Sequence, residues 1–523
     1  MGDTKLIAVL LAILSVLATT SAADKVVLES FDESFRLDGF LETYDGEVFT
    51  VRSAFGPVTL RASDVRCTGA ACPEIVPPRR DFRISGSRDL ASDLMPSLVE
   101  AFSFELDADM TFGTSAKDVS TRMTLESYDG ATLADISFIM AGSTQGVQHL
   151  AEGTASMALT SRPLRAEELE AVAETSPDGT QNAPLETVLA LDGVVVVTSR
   201  KNPVRALTQE MIAEVFAGNI DNWADLGGPD APITVYAPRP SSGTGEAFSA
   251  LVLDPAEARL SPGITILESD AAVSDSVARD PLAIGFTSFS NQRGARALSI
   301  LGECGIQTPP TPFTIKTEEY PLTQRLYLYR KDSPLPEPAE AFLGFVGSES
   351  AQGVIARAGF VDQGISSVSV NNMGLRFVAS LLPGDVDVDI DALRDMTEDL
   401  VAAERLSITL RFDEGSTRLD ARAEKDVQRL AEMIRDGRFE NKEVLLVGFT
   451  DSAGPAAVNA SLSQSRAEQV ADTLIDQLPV DLAERDMIRA LGYGEMSPLA
   501  CNDIATDRQI NRRVEVWTRD LVR

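Results

Sequence analysis

LALDGVVVVTSRKNPVRALTQEMIAEVFAGNIDNWADLGGPDAPITVYAPRPSSGTGEAF, residues 189–248, decides how the centre of this chain folds. The β-branched run Val194–Val197 suits a strand buried on both faces. Thr208 stands at an N-cap position ahead of QEMIAEVFAG, and Gly218 is placed to stop that helix. Strand-like and helix-like segments alternate in this way from Phe82 to about residue 368, which implies an α/β architecture with mainly parallel strands.

Working outward, one local pattern recurs three times. Ser85-Gly86-Ser87 precedes an amphipathic stretch with Leu90, Leu94, Leu98 and Phe102. Gly142-Ser143-Thr144-Gln145-Gly146 precedes VQHLAEG, and Ser241-Ser242-Gly243-Thr244 precedes GEAF. A helix N-terminus offers unpaired N–H groups and a favourable dipole to an anion, and hydroxyls add donors. Glycine lets the backbone approach closely. Each loop alone reads as an ordinary helix cap; three in one domain point to an oxyanion site.

With ALDGVVVV, AEVFAGNIDNW, SSGT and DPLAIGF (280–286), residues 82–368 resemble the periplasmic phosphate-binding proteins of ABC transporters. The resemblance implies a two-lobed periplasmic-binding-protein fold that closes on its ligand. It places Ser87, Ser143, Thr144, Ser161, Ser242, Gly243 and Thr244 around the anion, with Arg239 as a charged clamp. Two departures stand out. Arg239 precedes Ser242 by three positions where the family usually has four, and Thr160-Ser161-Arg162-Pro163-Leu164 carries a cation where the family commonly has a carboxylate. Asp89 is the candidate replacement acceptor. Trp223 reads as a packing anchor in the Asn-Trp turn, and His149 as a surface or packing residue.

Downstream, ITLRF, AEKDVQRLAEMI, EVLLVGF, SRAEQVADTLI and RRVEVW alternate strand and helix from residue 404 to 523, an α+β sandwich with its helices against one sheet. GFTDSAGPAAVNASLSQSRAEQV and NRRVEV resemble the OmpA-like peptidoglycan-binding module. The resemblance implies that Asp451 grips the ammonium and Arg466 the carboxylate of diaminopimelate in the stem peptide, while Asn459 and Leu462 shape the intervening loop. An ordinary surface ion pair between Asp451 and Arg466 is the plainer alternative. Residues 369–403, with GDVDVDIDALRDM, read as a structured connector.

Upstream, residues 24–80 read as a small β domain. Asp45-Gly46 is a two-residue hairpin signal between alternating segments, CTGAAC spaces Cys67 and Cys72 for a small disulfide loop, and Pro77-Pro78-Arg79-Arg80 reads as a linker. Residues 1–23, with Lys5, an apolar run from Leu6 to Leu17 and Ser21-Ala22-Ala23, read as a secretory signal peptide. That places the protein in the periplasm of a Gram-negative bacterium, associated with the wall or outer membrane, with nothing spanning the bilayer after cleavage. Cys304 and Cys501 lie in different domains, and their pairing stays open.

A net charge of −33 argues against nucleic acid as a partner. A single histidine and the lack of metal-ligand spacing argue against an enzyme, a metal site or a cofactor. The expected function is a wall-tethered binding protein for phosphate or a related oxyanion, in uptake, scavenging or sensing. Its partners would be the anion, peptidoglycan and an ABC permease. The alternative is a peptidoglycan-anchored structural protein whose binding-protein domain no longer takes phosphate.

Overall fold

The structure, a computed structural model, describes residues 25–521 apart from 31–33, 46–47, 63, 74–79, 116–119, 176–180, 374–389, 413–418, 420 and 484–486. The signal-peptide segment, Gly46 of the hairpin signal, Pro77–Arg79 of the linker and the middle of the connector lie outside the described residues. The chain divides into two compact units at Arg79/Arg80.

The first unit is an antiparallel five-stranded sheet in the order Gly56–Arg61, Val48–Ser53, Arg36–Tyr44, Lys25–Ser30, Val65–Thr68. Alternation sends Val26, Leu28, Phe49, Val51 and Val65 into one small core. Cys67 and Cys72 are joined by a disulfide, their Cα atoms 5.8 Å apart. A core this small gains from such a staple.

In the second unit, residues 81–361 build two lobes on one eleven-stranded sheet. From one edge it runs through Thr265–Leu267, Thr234–Pro238 and Ala283–Ser288 to the long central strand Leu185–Thr198. It continues through Thr323–Arg330, Met157–Thr160 and Asp81–Gly86, then the meander Thr132–Ile139, Ser120–Ser127 and Ala108–Ser115, while the eleventh strand, Arg296–Ala297, pairs with the end of the central strand off this path. Parallel and antiparallel pairs are mixed, because the central strand meets both neighbours antiparallel. Two separate cores lie along this sheet. Leu189, Ala190, Leu326, Leu328 and Phe360 belong to the first, and Leu191, Val194–Val197, Leu322 and Val361 to the second. The chain therefore crosses between lobes at three places: Ala190/Leu191, the start of Thr323–Arg330, and Phe360/Val361. Three crossings side by side suit a hinge.

Local signals explain the elements around it. Thr208 accepts a hydrogen bond from the Met211 N–H, and Gly218 takes a left-handed conformation at φ 82°, bounding the helix Gln209–Ala217. Trp223 is fully buried, its indole N–H donating to the Leu282 carbonyl.

The C-terminal part is a five-stranded sheet in the order Ser367–Ser369, Glu404–Arg411, Arg513–Asp520, Lys442–Phe449, Ile488–Gly492. The helices Ala421–Arg435 and Ala456–Ile475 cover one face. The second face is covered too, which differs from a sheet with helices on one side only. Met396 and Leu400 of the helix Ile390–Leu400 pack there on Leu445, Val447 and Trp517. Among the described residues no helix is long and apolar enough to cross a membrane.

Candidate functional site

The three glycine-bearing helix starts meet where the lobes meet. Ser87 is the N-cap of Arg88–Asp93 at the end of the strand Asp81–Gly86. Gly86, at φ 148°, lies so close to the next strand that a side chain there would strike the Leu159 carbonyl, and Gly146 is pressed against Gly86 in turn. Ser143 opens its helix, and its hydroxyl lies 3.4 Å from that of Ser161 and accepts from the Ser161 N–H at 3.3 Å. Gly243 begins the third helix; a Cβ there would sit 2.9 Å from Ser161 Oγ and 3.6 Å from Ser87 Oγ. Donors from both lobes thus face one another.

The first and third helix starts line a small cavity of about 20 Å³, and Ser143 stands behind it, against Ser161. Ser87, Asp89 and Asp93 line it from one helix start, Ser161 from a strand end, and Gly243 and Thr244 from another helix start. Asp192, Ser288, Ser290, Asn291 and Gln324 close it from the crossing strands. The structure thus brings together Ser87, Asp89, Ser161, Gly243 and Thr244 of the residues singled out from sequence.

The other candidates face elsewhere. Ser242 caps its own helix, accepting from the Gly245 N–H and donating to the Arg239 carbonyl. Arg239 pairs with Glu268 and is half exposed. Arg162 makes a bidentate pair with Glu168 at 2.7 and 2.8 Å and donates to Thr144 Oγ1. Neither Arg162 nor Thr144 lines the cavity. No Lys or Arg does, among the described residues.

The cavity is instead acidic. Burial, then the nearby Asp270 and Asp93, push the Asp89 carboxyl up to about 6 against the lesser pull of Gly243 N–H and Arg88. Burial pushes Asp192 up to about 7, although it accepts from the Gly193 N–H, the Ser290 N–H and the Ser290 hydroxyl. Asp270, raised by burial, sits behind Thr244 and accepts from its hydroxyl at 2.7 Å. Sequence reasoning missed Asp192, Ser288, Ser290, Asn291 and Gln324. One signal was present: Asp192 is a lone carboxylate inside the apolar run LALDGVVVV.

The second candidate site is on the C-terminal sheet. Asp451 follows the strand Lys442–Phe449 and is paired with Arg512 at 2.8 Å. Arg466 is buried on the helix Ala456–Ile475, 5.2 Å from the Phe412 ring centre. Burial and the neighbouring Arg512 pull its pKa down, and Asp451 opposes them. The buried Asn459 donates to Glu495 at 3.1 Å, and Leu462 is half-buried.

Residues 111–350 match the PBP superfamily domain and residues 411–512 the OmpA family. The chain joins a PBP superfamily domain to an OmpA family domain. For the PBP superfamily domain, the phosphate-binding protein PstS of Borreliella burgdorferi is 26% identical over 230 residues, 42% of this chain and 77% of that protein. For the OmpA family domain, outer membrane porin F of Pseudomonas aeruginosa is 32% identical over 133 residues, 25% of this chain; the chain spans only 35% of the porin's length. The solved structure of an ABC-type phosphate transport receptor from Vibrio cholerae aligns with 54% of this chain and 99% of that one, at 25% identity and a TM-score of 0.41.

Proposed function

We propose that the protein is a periplasmic receptor for phosphate or a related oxyanion, held to the cell wall by its OmpA family domain. One observation carries the reading: Ser87, Ser161, Gly243 and Thr244, from separate elements of two lobes, line a single cavity at the hinge. Neutral donors fixed in this way bind a dehydrated anion. A cavity of about 20 Å³ holds about one water, so the lobes must part to admit the ligand and close behind it. Asp451, Arg466 and Arg512 supply an acid and guanidinium groups at one place, the chemistry that recognises a zwitterionic amino-acid terminus. A receptor tied to the wall favours scavenging or sensing over diffusion to a permease.

A second reading is a wall-anchored structural protein that binds no phosphate. The carboxylates of Asp89, Asp93 and Asp192 in a cavity without a lining cation favour it. Calorimetry of the full chain with phosphate and with sulfate separates the two. The receptor reading expects heat with phosphate that is lost in Ser161→Ala/Thr244→Ala, together with ligand-induced thermal stabilisation. Absence of binding to either anion would leave only the structural protein. Co-sedimentation with purified peptidoglycan, abolished by Asp451→Ala, tests the tether.

A further inference from the structure

A disulfide joins Cys304 of the PBP superfamily domain to Cys501, on the segment that runs beside Asp451 and Arg512. Between the strand Ile488–Gly492 and the helix Ala505–Asn511 the chain forms neither strand nor helix, so no backbone ladder fixes it. Side chains do so instead. Through its amide oxygen the buried Asn511 accepts from the Leu499 and Ala500 N–H groups at 2.8 and 3.1 Å. Its amide nitrogen donates to the Ala500 carbonyl and to Asn502 Oδ1. Arg508 donates to the Asn502 and Asp503 carbonyls, both at 2.9 Å. Two of these residues lead straight to the acid–guanidinium pair. Asn502 Oδ1 accepts from the N–H of Ser452, next to Asp451, and Asn511 precedes Arg512, which donates to Asp451 Oδ2.

The other end of the bridge is a tight turn. Cys304 stands between the strands Ser299–Leu301 and Gln307–Thr308, where the Gly302 N–H donates to the Ile306 carbonyl and the Gly305 N–H to the Gly302 carbonyl. Cys501 is 3% exposed beneath this turn. Gly302 lies so close that a side chain there would strike Cys501 Sγ, and the Cys304 N–H donates to the same sulfur at 3.1 Å. Cys304 itself is exposed. A small thiolate therefore has access from the Cys304 side. Once the tie is cut, only side-chain hydrogen bonds hold Leu499–Asp503, and a binding site loosened by about 1 Å loses affinity.

We propose that Cys304–Cys501 is a redox latch for peptidoglycan binding. Oxidised, it holds Leu499–Asp503 so that Asp451 and Arg512 meet the stem peptide; reduced, it lets the segment relax and the protein leave the wall. This rests on the tether reading above and adds the condition under which the tether lets go. The chemistry is exchange with a dithiol. A thiolate attacks Cys304 Sγ, Cys501 leaves as a thiolate and takes a proton, and the second thiol closes the reductant's own disulfide and frees Cys304. Two electrons and two protons pass to the protein, and the dithiol is oxidised to its disulfide. Linkage makes the effect reciprocal: bound peptidoglycan makes the bridge harder to reduce by the factor by which reduction weakens binding.

The test is co-sedimentation of the full chain with purified peptidoglycan, with and without dithiothreitol, for the parent and for Cys304→Ser/Cys501→Ser. Reduction should weaken binding by the parent about fivefold or more, the lower end of a usual coupling between sites. The variant should bind at the weakened level in both conditions. Equal binding by the oxidised and reduced parent, or a variant that binds like the oxidised parent, would overturn the latch and leave the tether standing. A loss on reduction that the variant shows equally would trace to Cys67–Cys72 and overturn the latch too. No sedimentation of the oxidised parent would overturn the tether and the latch with it. A second measurement uses the parent alone, so it does not depend on how the variant folds. A soluble diaminopimelate-containing muropeptide should shift the dithiothreitol equilibrium of Cys304–Cys501 towards the disulfide by the same factor, read by mass spectrometry after thiol alkylation. An equilibrium that the muropeptide leaves in place would likewise overturn the latch.

Discussion

Gly243 shows how much of the site hangs on a missing methyl group. Its backbone is helical, so alanine there costs nothing in conformation and should improve the helix by up to about 1 kcal/mol. The new Cβ would nevertheless meet Ser161 Oγ at 2.9 Å and Ser87 Oγ at 3.6 Å, filling the space between the lobes. Gly243→Ala should therefore keep or raise the melting temperature while weakening phosphate binding at least tenfold, as read by calorimetry. Unchanged affinity would mean that the ligand sits elsewhere. Asp192 carries a second expectation at this scale. Burial holds its carboxyl up at about 7, against about 3.8 in the unfolded chain, so the native state keeps a proton that the unfolded state has lost. The stability this gives is complete in acid and disappears as pH rises through about 7. Relative to Asp192→Asn, the parent protein should lose up to about 1.4 kcal/mol per pH unit between about pH 4 and pH 7 in urea unfolding. Parallel curves for the two proteins would count against a buried, protonating Asp192. Neither residue's full role was legible beforehand. Gly243 was marked by its local Ser-Gly-Thr pattern, but Gln324 acquires its place only through the pairing with Asp192, and no local pattern marks a partner 132 positions away.

Elements with caps written into adjacent residues were readable; elements defined by distant contacts were not. The helix Gln209–Ala217 is bounded by Thr208 and Gly218, each acting on backbone groups within three residues. Thr208→Ala should cost about 1 kcal/mol, measured by denaturant unfolding, since it strands the Met211 N–H. A cost near zero would show that tertiary packing alone holds that end. The strand Leu185–Thr198 illustrates the opposite case. Its apolar run announces burial, but the change from one core to the other at Ala190/Leu191 leaves no trace in composition, because both sides of the crossing are aliphatic. Arg239 is a related case: the motif around it is local, whereas its side chain pairs with Glu268, 29 positions further along the chain. The helix Ile390–Leu400 was hidden too, since its buried Met396 and Leu400 declare an apolar face without saying which sheet it covers.

At the scale of the molecule, the PBP superfamily domain and the OmpA family domain pack together. Residues 80–523 form one compact unit, and charged side chains cross the junction inside it. Arg405 is fully buried against Glu319 at 2.5 Å and Glu515 at 3.2 Å. Glu318 meets Arg325, Arg411 and Arg422; burial alone would raise its carboxyl, but the three cations prevail and hold it at about 2. Such pairs specify one docking geometry more than they stabilise it. The covalent link is Cys304–Cys501, with 197 positions between its ends and Cα atoms 5.7 Å apart. Two cysteines in separate domains leave pairing undecided from sequence, because the distance between them depends on this docking. A loop that long confers up to about 5 kcal/mol on the chain-entropy model, and less where the ion pairs and the strand Ser367–Ser369 already hold the domains together. Cys304→Ser/Cys501→Ser should therefore lower the calorimetric melting temperature and bring the transitions of the PBP superfamily and OmpA family domains apart, whereas Cys67→Ser/Cys72→Ser should leave the unit from Arg80 onward unchanged. Coincident melting of the parent and the Cys304/Cys501 variant would assign the junction's cohesion to Arg405, Glu318 and Glu319, with the disulfide contributing little.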